Sequence, residues 1–183
     1  MATRLMCSTA VGTFLHPSIE ETAKGMDGSD TGKYEVVLVL DEEGANSAEG
    51  VNLKKIVDAE LAAMAKEQKC PVSSLKTAIR SNEERAEKNP VYKPGGYFLS
   101  AKSKFPPGLV DRAKRTITDR SAVYAGVEGR LVVSPYRYNV NGNRGVGLSL
   151  ELVQITNGDK ERIGAGGSSA LNLLSDLPDP FAA

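Results

Sequence analysis

VEGRLVVSPYRYNVNGNRGVGLSLELVQI, residues 127–155, is the stretch whose reading decides the architecture. Residues 127–140 form one long β-prone run broken by Pro135. Proline has no N–H to give a ladder, so Pro135 marks an edge or a bulge. Asn141-Gly142 is the dipeptide of a tight hairpin turn, whose central residues need positive φ. Residues 146–155 then alternate, with Val146, Leu148, Leu150 and Leu152 on one face and Gly147, Ser149 and Glu151 on the other. That two-residue period predicts a half-exposed antiparallel strand.

Working outward, YFLSAKS at 97–103 reads as another strand, followed by a turn forced at Pro106-Pro107-Gly108. KYEVVLVL at 33–40 is apolar on both faces, the pattern of a central strand. Residues 3–16 suggest a first strand, and residues 17–32 and 41–50 read as polar loops. In residues 51–68, Leu53, Ile56, Val57, Leu61 and Met64 fall on one helical stripe, which Cys70-Pro71 ends. Residues 72–90 fit either a short helix or a solvated loop. The order is strand, strand, helix, then three or so strands, without the βα alternation of a doubly wound fold. It predicts a mainly β protein with one or two helices, an OB-fold-like five-stranded barrel. Residues 1–163 form the domain. Residues 164–183, rich in Gly and Ser at their start, form a flexible linker and tail.

The chain has 183 residues and no net charge, with 23 basic and 23 acidic side chains. The distribution is uneven. Residues 20–60 hold eleven acids and four lysines, whereas residues 91–147 hold ten cations and three acids. The basic region also carries Tyr92, Tyr97, Phe98, Phe105, Tyr124, Tyr136 and Tyr138. Cations interleaved with aromatic faces suit single-stranded nucleic acid, whose phosphates meet the charges while its bases stack. The competing expectation is that the acidic and basic segments neutralise each other.

Enzyme chemistry finds little to work with. His16 is the single histidine and lies beside Pro17, outside any nucleophile elbow. Gly32-Lys33-Tyr34 lacks the spacing of a phosphate-binding loop. Cys7 and Cys70 have no metal-ligand spacing and read as small apolar residues. Asp41-Glu42-Glu43 lacks the spacing of a calcium loop. We therefore expect no enzyme, no metal and no cofactor. The longest apolar run is too short to cross a bilayer, and the first residues lack the continuous apolar core of a secretory signal. Both point to a cytoplasmic protein.

YEVVLVL at 34–40, GGYFLSAKSKFPPGLVD at 95–111, ITDRSAVYAGVEGRLVVSPYRYN at 117–139 and GVGLSLELVQ at 145–154 carry a collective resemblance. In that order and at those spacings they resemble a tailed-phage family of single-stranded-DNA-binding proteins with an OB-fold. The resemblance implies a phage- or prophage-encoded accessory of DNA replication or recombination, working in the bacterial host cytoplasm. It implies a protein that coats single strands without sequence preference and without a metal. A phage structural or assembly protein, using a β-barrel for protein contacts, is the alternative.

Chemistry and strand position choose the candidate DNA contacts. The first set is Tyr97, Phe98, Lys102, Lys104 and Phe105. Parity with Leu99 and Ala101 favours Tyr97 inward and Phe98 beside Lys102. Tyrosine's tolerance of a wet edge favours the reverse. The second set is Arg130, Tyr136, Arg137 and Tyr138, with the two tyrosines on one face and Arg137 opposite. A parity reset at Pro135 leaves open on which side Arg130 and the tyrosines end, and a packed tyrosine pair at the barrel end is the competing expectation. The third is the basic loop of Arg112, Lys114 and Arg115. In the tail, Asp176, Asp179 and Phe181 resemble the acidic, Pro-Phe-ending tips of bacterial single-stranded-DNA-binding proteins, which recruit other replication proteins. Here two alanines follow the phenylalanine. Leu171, Leu173, Leu174 and Leu177 suit a second role, packing on the domain or on a second subunit in a homodimer.

Overall fold

The computed structural model describes residues 4–160, 162 and 163. The expectations for Asp176, Asp179, Phe181 and the rest of the tail lie outside the described residues. The strands are β1 (Cys7–Ser8), β2 (Gly12–Ser18), β3 (Tyr34–Leu40), β4 (Lys76–Thr77), β5 (Ile79–Ser81), β6 (Tyr97–Ser103), β7 (Gly108–Val110), β8 (Glu128–Val140) and β9 (Asn143–Asn157). Two helices, α1 (Glu42–Asn46) and α2 (Ala48–Glu67), lie between β3 and β4.

The long hairpin is β8 and β9, paired from Glu128↔Asn157 to Val140↔Asn143. Asn141 and Gly142 take positive φ, 51° and 78°, as the tight turn demands. Pro135 pairs with Leu148 without a break. β1 pairs with β8 only at Val132 and Val133, so Pro135 lies on an open edge where no ladder needs its N–H. The ladder's two register shifts sit elsewhere, at Glu128/Gly129 and Val132/Val133, and the second of them sets the parity. Val133 pairs with Leu150 and Val132 with Leu152, leaving Glu151 as the extra residue. The extra residue flips the parity of β9. Val146, Leu148 and Leu150 point into the core as the alternation predicts, but beyond the bulge Val153 is buried and Leu152 is not.

Five strands pair in a ring: β2 with β3, β3 with β6, β6 with β9, β9 with β8, and β8 with β2. Two joins are short. The parallel β6–β9 join is Ala101↔Leu148 and Lys102↔Ser149, and the β8–β2 join is Gly12↔Gly129 and Thr13↔Glu128. Where β6 and β9 splay apart, residues 76–81 fill the seam. β4 lies along β9 and β5 along β6. Ala78 stitches both sides, donating to the Val146 carbonyl and accepting from the Ser100 N–H. The result is an OB-like barrel with an inserted stave, not a clean five-stranded cylinder.

Residues 41–50 depart from the expected loop. Asp41 accepts from the Gly44 N–H and caps α1, and Ser47 accepts from the Gly50 N–H and caps α2. A charged, glycine-containing segment hides its helices because the caps, not an apolar stripe, define them. The predicted stripe of α2 does its work: Leu53, Val57, Leu61 and Met64 join the barrel core with Phe14, Leu38, Leu99, Leu131 and Leu148. Each such side chain contributes roughly 1.5–3 kcal/mol when fully buried. No described helix is long and apolar enough to cross a membrane.

Candidate nucleic-acid interface

The outer faces of β3 and β6 form the floor of a groove. On β6, Tyr97, Leu99 and Ala101 enter the core, which turns Phe98, Ser100 and Lys102 outward. Glu35 and Val37 of β3 lie beside them. Tyr136 and Tyr138, on the far arm of the β8–β9 hairpin, stand over one side. The 19–33 connection brings Lys24 and Lys33 to the groove, and the 76–85 segment brings Arg80 and Arg85. The groove continues past Lys33, Lys102 and Tyr136 to Lys104 and Phe105, the latter 77% exposed.

The electrostatics favour an anion. The acids that line the groove among the described residues are engaged: the Ser100 hydroxyl donates to Glu35 at 2.7 Å and Lys102 lies 3.4 Å from it, while Glu151, in the continuation, pairs with Arg4 at 3.0 Å. Lys24, Lys33, Lys104 and Arg85 have no carboxylate within salt-bridge distance among the described residues. Arg80 pairs with Glu84.

The tyrosines supply apolar flat surface. Tyr136 is 39% exposed, and its ring centroid lies 6.2 Å from that of Tyr138. Burial pushes the Tyr138 phenol above its ordinary pKa, with Tyr136 adding to the effect. Cross-strand from Tyr136 is Gly147. A Cβ there would stand 2.6 Å from Tyr136 Cζ, so the ring lies where only a glycine permits it. Gly147→Ala is expected to displace the ring and lower any affinity that depends on it by about fivefold. Oligothymidine titration checks this, with thermal melting to show an intact barrel.

The other sequence candidates are placed differently. Tyr97 is buried, and its hydroxyl donates to the Gly50 carbonyl at 2.7 Å; this withdraws it from the groove. Phe98 faces outward as parity favours, yet it is 4% exposed, sealed with Leu15, Val37, Val39 and Tyr92 in a second small cluster. Arg137 turns away from the tyrosines to α2, where Glu60 and Glu67 hold it at 2.7 and 2.9 Å. There the segments of opposite charge do neutralise each other. Those hydrogen bonds, Glu67's first, hold the Arg137 pKa above its ordinary value. Arg130 donates to the Gln154 side chain at 2.6 Å, and Gln154 in turn donates to the Asp111 and Arg112 carbonyls. Arg130 thus buttresses the turn that displays Arg112, Lys114 and Arg115. That turn adjoins Ile155 and Thr156, roughly 25 Å along β9 from Gly147 at about 3.3 Å per residue. Within it, Asp111 accepts from the Arg115 N–H and pairs with its side chain, which lowers the carboxyl pKa.

Lys24, Lys33, Arg80 and Arg85 escape the sequence reading. The first two sit in a segment whose sum is acidic, and the others in a segment of ambiguous structure. Hairpin geometry around Asp27 and Asp30 spends those acids on local bonds to Ser29, Thr22 and Gly32.

A family model described as Enterobacter phage Enc34, ssDNA-binding protein, matches residues 18–176. Among solved structures, the single-stranded DNA-binding protein from bacteriophage Enc34 in complex with ssDNA is similar, with a TM-score of 0.69 and 18% identity over 87% of this chain and 89% of that one. A C-terminal truncation of the same phage protein gives a TM-score of 0.66 and 17% identity, covering 86% and 88%. The bacteriophage T7 protein gp2.5, a single-stranded DNA binding protein, gives 0.63 and 15%, covering 98% and 100%. At these identities the likeness is one of fold. No curated protein matches the sequence.

Proposed function

We infer the function from one premise: the chain belongs to the family described as Enterobacter phage Enc34, ssDNA-binding protein. It is a phage protein that binds single-stranded DNA, and we propose that it does so without reading sequence, in phage DNA replication or recombination. The observation that carries the reading is the groove itself. Exposed Tyr136, half-buried Tyr138 and cations without a carboxylate partner among the described residues line one groove, over the strand face that OB-folds use for oligonucleotides. Lys24, Lys33, Lys102 and Lys104 meet phosphates, and Tyr136, Tyr138 and Phe105 stack on bases. No base edge need be read, because every base offers a π-face. The turn bearing Arg112, Lys114 and Arg115 serves a longer strand that runs beyond the groove. Recruitment of other replication or recombination proteins falls to the tail around Asp176, Asp179 and Phe181, on its sequence alone.

Oligothymidine titration tests the reading. Four or so neutralised phosphates predict a slope of log affinity against log salt of about −3 for a single strand. That is roughly a 60-fold loss between 50 and 200 mM salt. Duplex DNA of the same length should bind more weakly, since its bases are stacked on each other and do not reach the tyrosines. Absence of oligothymidine binding at the lower salt, or equal binding of duplex, would sink the proposal.

A further inference from the structure

We propose that Arg85 is a base-stacking platform in the wall of the groove, its guanidinium taking the place of an exposed aromatic ring. The inference rests on the single-strand reading above and assigns a surface within it.

Two aromatics lie beside Arg85 on the outer side of the barrel, and neither is available. Phe98 packs edge-on against Tyr92, with ring centroids 5.0 Å apart and planes at 78°. Tyr92 is 3% exposed. Residues 82–96 lay Val91 and Tyr92 over β2, β3 and β6, and so seal Phe98 with Leu15, Val37 and Val39. A base could stack on either ring only by unpacking this cluster.

Arg85 covers the cluster instead. Its guanidinium carbon lies 4.7 Å from the Phe98 centroid and 5.7 Å from that of Tyr92, and Nη1 donates to the Tyr92 hydroxyl at 3.3 Å. The side chain is half-buried and lines the groove. It has no carboxylate partner among the described residues, whereas neighbouring Arg80, 5.8 Å from the Phe98 centroid, is tied to Glu84. The backbone beneath Arg85 is anchored. Asn82 is fully buried, and its side-chain amide donates to the Leu40 and Lys93 carbonyls at 2.8 and 2.9 Å. The Arg85 N–H donates to the Asn82 carbonyl at 3.0 Å, which ties the residue to that anchor.

A planar, weakly hydrated cation held on an aromatic face is suited to take a base on its other side. Lysine keeps the charge but has no plane. That difference separates stacking from phosphate contact.

The experiment compares Arg85→Lys with the wild-type protein on oligothymidine and on an abasic strand of equal length, each at two salt concentrations. Stacking predicts a loss of about tenfold on oligothymidine. It predicts abasic affinity within about twofold of wild type and an unchanged salt slope, because the charge remains. Retained abasic binding also shows that the variant is folded. Wild-type affinity of R85K for oligothymidine, or an equal loss on both strands, overturns the inference while leaving the functional reading intact. Failure of the wild-type protein to bind oligothymidine overturns both.

Discussion

Alanine at both Tyr136 and Tyr138 is expected to weaken oligothymidine binding about a hundredfold, with the barrel intact. Stacking on an aromatic side chain contributes roughly 1–3 kcal/mol per base, and the two rings are neighbours on one face of β8. Both sit on the outer arm of the hairpin, beyond the stretch where β1 and β2 pair with β8. Their removal therefore leaves the ring of strands closed. Phenylalanine at either position keeps the flat surface and should bind within about twofold of wild type. Titration at fixed salt, beside melting curves, separates lost contact from lost fold. An affinity unmoved by the double substitution would remove the tyrosines from the interface.

Tyr97→Ala should do the opposite, lowering stability by about 3–5 kcal/mol while the folded protein binds DNA as before. Tyr97 is 6% exposed and ties β6 to the start of α2 through the Gly50 carbonyl. A domain's total stability is about 5–15 kcal/mol, so the loss is a large fraction of what holds the barrel together. Tyr97→Phe isolates the hydrogen bond and should cost about 1 kcal/mol. It also has a pH signature. Burial, with the Cys7 thiol adding, pushes the Tyr97 phenol from about 10 up to about 12. Above pH 10 the unfolded chain loses this proton before the folded one does. The contribution is thus fully present below pH 10 and lost as pH rises towards 12. Denaturant midpoints of wild type should fall more steeply across that window than those of Tyr97→Phe. Equal slopes would place the phenol in a wetter site.

The two tyrosines at 97 and 136 show how far the sequence reads. Strand alternation grouped Tyr97 with Leu99 and Ala101 and so favoured it inward, against tyrosine's tolerance of a wet edge, and it put Tyr136 and Tyr138 on one face opposite Arg137 without fixing which side that face takes. Those readings hold because a two-residue period and a tight turn are local properties, carried by neighbouring side chains. Parity held along β9 only to Leu150. The bulge at Glu151 follows from pairing with β8, and a strand read alone does not carry its partner's register.

The helix stripe, the central strand at 34–40 and the long hairpin were thus determined by the sequence itself. Tertiary structure alone decided the composition of the groove. Lys24 and Lys33 reach it from an acid-rich segment, Arg85 from a segment with no clear period, and Arg137 is diverted to Glu60 and Glu67 of α2. Charge acts through space rather than along the chain. Which cations stay unpaired was therefore settled only when ring closure brought distant segments together.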